Sequence, residues 1–220
     1  MDLAAASLTL SNKMLKILGK PTSINVRKVL WTCEELSLPY VLEPWGTGDL
    51  SLQSPAFLAM NPNAMVPVID DDGFILWESN SICRYLADRY GDGALLPPPS
   101  QARALVERWM DWQATELNNA WRYPFMSLVR NSPLHRDAQQ LEAGVAAWNR
   151  TMGLLDAHLA AKGPYMAGTQ LTVADVVIGL SINRWKATPM THAALPAVES
   201  YFDLLSQRPA FMKHGNNGTP

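Results

Sequence analysis

The stretch that most restricts what this chain can become is GDGALLPPPSQ, residues 91–101. Three consecutive prolines have fixed φ and no N–H, so they cannot sit inside a helix or a central strand. The residues on either side of them read with different periods. Before the prolines, short apolar runs alternate with one-sided helical segments. After them the spacing is helical throughout. A chain interrupted in this way is predicted to fold as an α/β unit followed by an all-helical unit, with 92–101 as the linker. The division we expect is an N-terminal extension at 1–13, a first domain at 14–91 and a helical domain at 102–220. A chain of 220 residues is long enough to bury a core in such an arrangement.

Within the first unit, 14–19 (MLKILG) reads as a strand. Residues 24–36 read as a helix, because Val26, Val29, Leu30 and Cys33 fall at i, i+3, i+4 and i+7 on one face. Residues 39–43 read as a second strand. A helical crossover of this length predicts a βαβ unit with parallel strands. Residues 44–62 are irregular, with a short helix near 55–59. Two apolar runs, 66–70 and 74–77, flank Asp71-Asp72-Gly73, which is a hairpin signal. A helix over 79–90 follows. Beyond the prolines, helices are predicted over 102–128, 134–161, 171–183 and 195–207.

Composition removes several function classes. The formal net charge is −2 and no basic block interrupts the chain, so nucleic acid is not an expected partner. No run is long and apolar enough to predict a membrane span. The opening MDLAAASLTLSNK lacks the positive start and unbroken apolar stretch of a signal peptide. The two cysteines, Cys33 and Cys83, form neither a CxxC pair nor a metal cluster. Together these features predict a cytoplasmic protein in a reducing compartment. The four histidines show no metal-ligand spacing, and no metal or cofactor is expected.

Two details of 63–80, NAMVPVIDDDGFILWESN, ask for a ligand. Proline is poor in a central strand, but a cis bond before Pro67 would turn the backbone and free the polar groups of Val66. Val66 could then pair with an extended peptide as an edge strand does. Glu78-Ser79 stands where a helix begins, and backbone N–H groups there favour an anion. Ser79 adds a hydroxyl, and Glu78 can accept from an ammonium. These groups suit a small zwitterionic peptide. The competing reading is an edge proline followed by an ordinary helix cap.

The stretch NPNAMVPVIDDDGFILWESNSICRYL resembles the glutathione-site signature of the glutathione S-transferase family. The likeness covers nearly the whole chain. It implies a thioredoxin-like βαβ-ββα first domain, a linker and an all-α second domain. It further implies a cis bond at Pro67, pairing of glutathione's cysteinyl backbone with Val66, and capture of its γ-glutamyl end by Glu78 and Ser79. Ala64 and Met65 stand where many members carry glycine and a basic or amide residue. A second stretch, GTQLTVADVVIGLSI, resembles the family's helix-initiating motif. Its physical content is a capping box, with Thr172 as N-cap and Asp175 three residues on, and Leu171 placed to staple to Val176. Asp175 is therefore read as structural.

Glutathione chemistry needs a thiolate, and a free thiol is only a few per cent ionised at neutral pH. A hydrogen-bond donor aimed at sulfur from a helix N-terminus would favour the anion. The loop GKPTSIN offers Thr22, Ser23 and Asn25, and no Tyr or Cys. It resembles the loop of serine-type and related bacterial transferases. Ser23 is the first choice as donor, Asn25 a supporting donor and Thr22 the alternative. For the second substrate, a small hydrophobic electrophile, the candidates are Trp112, Tyr123 and Arg184, with Trp185 beside it. The resemblance implies a homodimeric transferase that uses glutathione as co-substrate. The alternatives are a glutathione-dependent disulfide reductase or peroxidase, and a non-catalytic glutathione- or protein-binding module.

Overall fold

A computed structural model describes residues 14–220, so the predicted N-terminal extension lies outside the described residues. The chain begins with β1 (Leu15–Leu18), α1 (Ile24–Glu35) and β2 (Tyr40–Glu43), then α2 (Pro55–Met60), β3 (Val68–Asp71), β4 (Phe74–Trp77) and α3 (Ser79–Tyr90). The sheet order is β2-β1-β3-β4. β1 and β2 are parallel, joined by α1, as a helical crossover requires. β3 pairs antiparallel with β1 and β4, setting Ile17 opposite Ile69. This is the thioredoxin-like arrangement expected from the sequence.

Pro67 explains where β3 starts. The run was expected to begin at 66, but pairing begins at Val68, after a cis Val66–Pro67 bond. Neither the N–H nor the C=O of Val66 makes a hydrogen bond among the described residues. α1 buries Val26, Val29, Leu30 and Cys33, the face that the spacing indicated. Each such aliphatic side chain is worth ~1.5–3 kcal/mol on full burial.

The second part is helical: α4 (Gln101–Trp112), a π-helical turn (Gln113–Leu117), α5 (Asn118–Leu128), α6 (Ala138–Lys162), α7 (Val173–Ala187), α8 (Pro196–Ser206) and α9 (Pro209–His214). Three details differ from expectation. The single helix expected over 102–128 is interrupted by the π-turn. Within it the Gln113 side chain reaches Asn118, five residues on, with Nε2 donating to Oδ1 at 2.9 Å. The next helix starts at Ala138 instead of 134, because Asp137 caps it: Oδ1 accepts from Gln140 N–H at 2.8 Å. α9 was not expected at all, although Pro209 at its first position is an ordinary start signal.

The two parts share one core. A continuous cluster of buried side chains runs from Ile17, Trp31 and Ile82 to Trp148, Ile178 and Leu205. α1 packs on α3, α7 and α9. Trp31 is fully buried, with its ring 4.9 Å from that of Phe211 on α9. Arg27, also fully buried, anchors the C-terminal segment. Its guanidinium donates to the backbone oxygens of Thr219 at 2.8 Å and Pro220 at 3.0 Å. None of the described helices is long and apolar enough to cross a membrane.

Candidate functional site

A cleft of about 330 Å³ opens where the β1–α1 loop, the turn before β3 and the start of α3 meet. Asn25, Asn61, Asn63, Met65, Val66, Pro67, Trp77, Glu78 and Ser79 line it. Asn25, Val66, Pro67, Glu78 and Ser79 were singled out from the sequence, and the fold brings these five together.

Each wall has a local cause. Gly19 has φ +154°, and a Cβ there would sit 2.5 Å from Val26 Cγ2 and 3.1 Å from Val66 Cβ. Only glycine lets the loop leading into α1 approach Val66 this closely. Asn61 is almost fully buried and shapes the turn before Val66. Its Nδ2 donates to Met65 O at 2.8 Å, and its Oδ1 accepts from Asn63 N–H at 3.0 Å. Glu78 is the N-cap of α3 and holds φ +73°, an uncommon backbone conformation for a residue with a side chain. Such conformations gather at ligand clamps. Ser79, buried at the first position of α3, makes no side-chain hydrogen bond among the described residues. Its hydroxyl therefore stays available at the positive end of the helix.

Of the three loop donors, Asn25 alone lines the cleft. Ser23 is the N-cap of α1, half-buried, and its hydroxyl makes no capping bond. Thr22 is exposed. The β1–α1 loop thus keeps a free hydroxyl and an amide at a helix N-terminus, beside the Val66 backbone.

The fold recurs in known proteins. Residues 18–98 match the family model described as the glutathione S-transferase N-terminal domain. Glutathione S-transferase GstB of Escherichia coli K12 is 39% identical over 202 residues, covering 91% of this chain and 97% of that protein. The chain belongs to the glutathione S-transferase family. Glutathione S-transferase 3 of Zea mays is 32% identical, covering 90% of this chain and 92% of its own. A theta-class glutathione S-transferase of Xanthomonas axonopodis pv. citri, solved with glutathione bound, superposes with a TM-score of 0.84. It is 34% identical and covers 91% of this chain and 96% of its own.

Against this transferase frame, the three residues named for a second-substrate pocket do not converge. Trp112 lines a separate groove of about 500 Å³ with Arg108, Trp109, Leu154 and His158. The Tyr123 ring packs on His135, and its hydroxyl accepts from Asp137 N–H at 3.1 Å. Arg184 is buried, its guanidinium 4.4 Å from the Trp121 ring and 4.1 Å from that of Phe125. Burial, then the fields of Arg27 and Arg130, lower the Arg184 pKa. Helical spacing says which residues share a face, but it cannot tell a face that lines a pocket from one packed against the next helix.

Sequence reasoning missed Asn61, Asn63 and Trp77 as lining residues. Asn61 and Asn63 stood inside the quoted signature, yet nothing in their spacing showed that one would brace the other. Asp175 behaves as expected: its carboxylate accepts from Thr172 N–H at 2.7 Å, Met166 N–H at 2.8 Å and Tyr201 O–H at 2.8 Å. Both cysteines are buried. Burial pushes the Cys83 thiol up to about 11 and the Cys33 thiol higher still. Among the described residues no group of three potential ligands could hold a metal ion.

Proposed function

We propose that this chain is a glutathione transferase that adds the glutathione thiolate to a small hydrophobic electrophile. The observation that carries the reading is the cleft. It sets an unpaired Val66 backbone opposite a helix N-terminus bearing Glu78 and a free Ser79 hydroxyl. An extended peptide pairs with Val66 as a strand would. Its γ-glutamyl carboxylate lies against Ser79 and the first N–H groups of α3, and its ammonium against Glu78. The sulfur then faces the N-terminus of α1. There Ser23, with Asn25 in support, donates to the thiolate, and stabilising that anion makes it the populated nucleophile at neutral pH.

A disulfide reductase working through a protein thiol is disfavoured, since Cys33 and Cys83 are buried with raised pKa values. We place the protein in the cytoplasm as a homodimer. Exposed Phe74 and Trp77 on edge strand β4 and exposed Leu105 on α4 supply apolar surface for a second subunit. Sedimentation at micromolar concentration should give a dimer, and a monomer would remove that element. For the activity itself, calorimetry with glutathione should show binding in the micromolar to millimolar range. An assay panel of aryl halides, peroxides and disulfides should show turnover with the halides. Absence of binding at millimolar glutathione would remove the whole reading, and binding without turnover of any of the three would leave a binding module.

A further inference from the structure

The cleft is shaped for an anion, yet its lining holds no cation. Among the described residues it presents amides, a hydroxyl, a free backbone unit and a single ionisable side chain, the carboxylate of Glu78. A γ-glutamyl tripeptide has two carboxylates and one ammonium, so it carries a net negative charge near neutral pH. Ionising its thiol adds another.

One cation stands directly behind this wall. Lys28, on the second turn of α1, is almost fully buried. Its Nζ donates to Asn80 Oδ1 and to Gln113 Oε1, both at 3.0 Å. Asn80 follows Ser79 in the first turn of α3, and its Nδ2 donates to Met110 O at 2.9 Å. Gln113 opens the π-turn and passes the network on, with Nε2 donating to Asn118 Oδ1 at 2.9 Å and to Ser181 Oγ at 3.2 Å. The ammonium thus ties α1 to α3 and the π-turn, and the two amides carry the network on to α4 and α7. Both of its acceptors are neutral amide oxygens. A buried ammonium without a carboxylate partner is costly, and a fold that needed only a crosslink could use neutral groups. π-turns themselves concentrate at functional sites.

We propose that Lys28 is a positioning residue for glutathione: it fixes the first turn of α3 through Asn80 and supplies the positive field that the cleft lining lacks. This inference rests on the function proposed above.

The charge state of Lys28 gives a readout that a purely structural role would not. Burial is the largest influence on its amine and pushes the pKa down to about 8. Cys83 on α3 and Glu78 at its N-cap push it back up, and Arg184 on α7 pushes it further down. Below that pH the amine is charged and favours an anion. Above it the field is lost, so apparent affinity should fall as pH rises through about 8.

The test uses S-methylglutathione, which has no thiol to titrate, with calorimetry from about pH 6.5 to 9. The wild-type protein should lose ~ten-fold in affinity across that window, and binding should take up protons near its upper end. The ligand's free α-ammonium also titrates in this window, so Lys28→Gln should bind ~ten-fold more weakly at pH 7 and keep only that shallower slope. Lys28→Arg, which stays charged, should show the same shallower slope while keeping tight binding. Wild-type affinity with no pH dependence, or Lys28→Gln with wild-type affinity and slope, overturns the inference. Should Lys28→Gln fail to fold, the difference in slope and proton uptake between wild type and Lys28→Arg still decides it. A wild-type protein that binds no S-methylglutathione at any pH removes the function reading itself, a different outcome from a flat profile.

Discussion

At the scale of single residues, the site divides into groups whose roles follow from chemistry and groups whose roles follow from placement. Ser23 and Asn25 both stand at the start of α1, but Asn25 lines the cleft and Ser23 does not. If the Ser23 hydroxyl donates to sulfur, Ser23→Ala should raise the thiol pKa of bound glutathione and lower turnover more than affinity. A lost hydrogen bond to a charged group, ~1.5–3 kcal/mol, corresponds to about ten- to a hundred-fold in rate. Asn25→Ala should do less, and Thr22→Ala least. Ultraviolet titration of the bound thiolate reads this ordering, and an Asn25→Ala effect larger than that of Ser23→Ala would hand the donor role to the amide. Lys28 offers a second measurement. Its amine titrates near 8 in the folded protein and near 10.4 in an unfolded chain. Between those values the unfolded state binds more protons, so this residue's destabilising contribution is full below pH 8 and is lost as pH rises. The stability of wild type relative to Lys28→Met should therefore rise by about 2 kcal/mol from about pH 7 to 9.5. Urea midpoints at the two ends test it, and a constant difference would mean that the amine is not shifted. Lys28 was not legible in the sequence. A lysine on a helix is ordinarily a solvated charge, and only the packing of α1 against α3 and the π-turn puts this one inside.

At the scale of elements, what was legible is what depends on local period and punctuation. β4 and α3 begin and end where the hairpin signal and the helical spacing put them. The start of β3 was legible only in part, because Pro67 both interrupts the ladder and sets Val66 free. The π-turn was invisible. Its cause is the demand of Gln113 for partners on α1, α5 and α7, which no window of sequence contains. The helical domain is anchored by Asp175, which lies three residues into the start of α7 and also reaches Met166 and Tyr201. Asp175→Ala would leave buried N–H and O–H donors without an acceptor, each at ~1–3 kcal/mol, beyond the loss of the cap itself. The expected loss is about 3 kcal/mol or more. Asp175→Asn, which keeps an acceptor oxygen, should cost less. Equal urea midpoints for the two variants would mean that a neutral amide oxygen recovers none of these bonds and that they depend on the carboxylate itself.

At the scale of the whole molecule, the proline-rich linker reads as a boundary, yet the core does not stop there. Trp31, from the α/β part, meets α7 of the helical part at Gly179, where an added Cβ would press on Trp31 and on Leu205 of α8. A Cβ at Gly179 would lie 2.7 Å from Leu205 Cδ1 and 3.1 Å from Trp31 Cη2. Period and composition divide the chain, but the closeness of this packing is a property of the assembled pair. Trp31 cannot withdraw easily, since its ring also packs, tilted, against Phe211 and its Nε1 donates to Glu35 Oε1 at 2.8 Å. Gly179→Ala should therefore overpack the junction and cost ~1–3 kcal/mol, despite the gain in helix propensity that alanine brings to an unobstructed helix. Because the strain falls on both parts at once, they should still unfold together. Circular dichroism, dominated by the helical part, and fluorescence from the eight tryptophans, three of them in the first part, should shift to the same lower urea midpoint. Separated transitions would show that the two parts are independently stable and that the shared core adds little. A stabilised variant would show that Leu205 and Trp31 move aside at no cost. Coincident, lowered midpoints would fix the junction at Gly179 as a source of cooperativity. The junction includes Trp31 of α1, the helix whose N-terminus faces the cleft, so overpacking it should also weaken glutathione binding without altering any residue of the site.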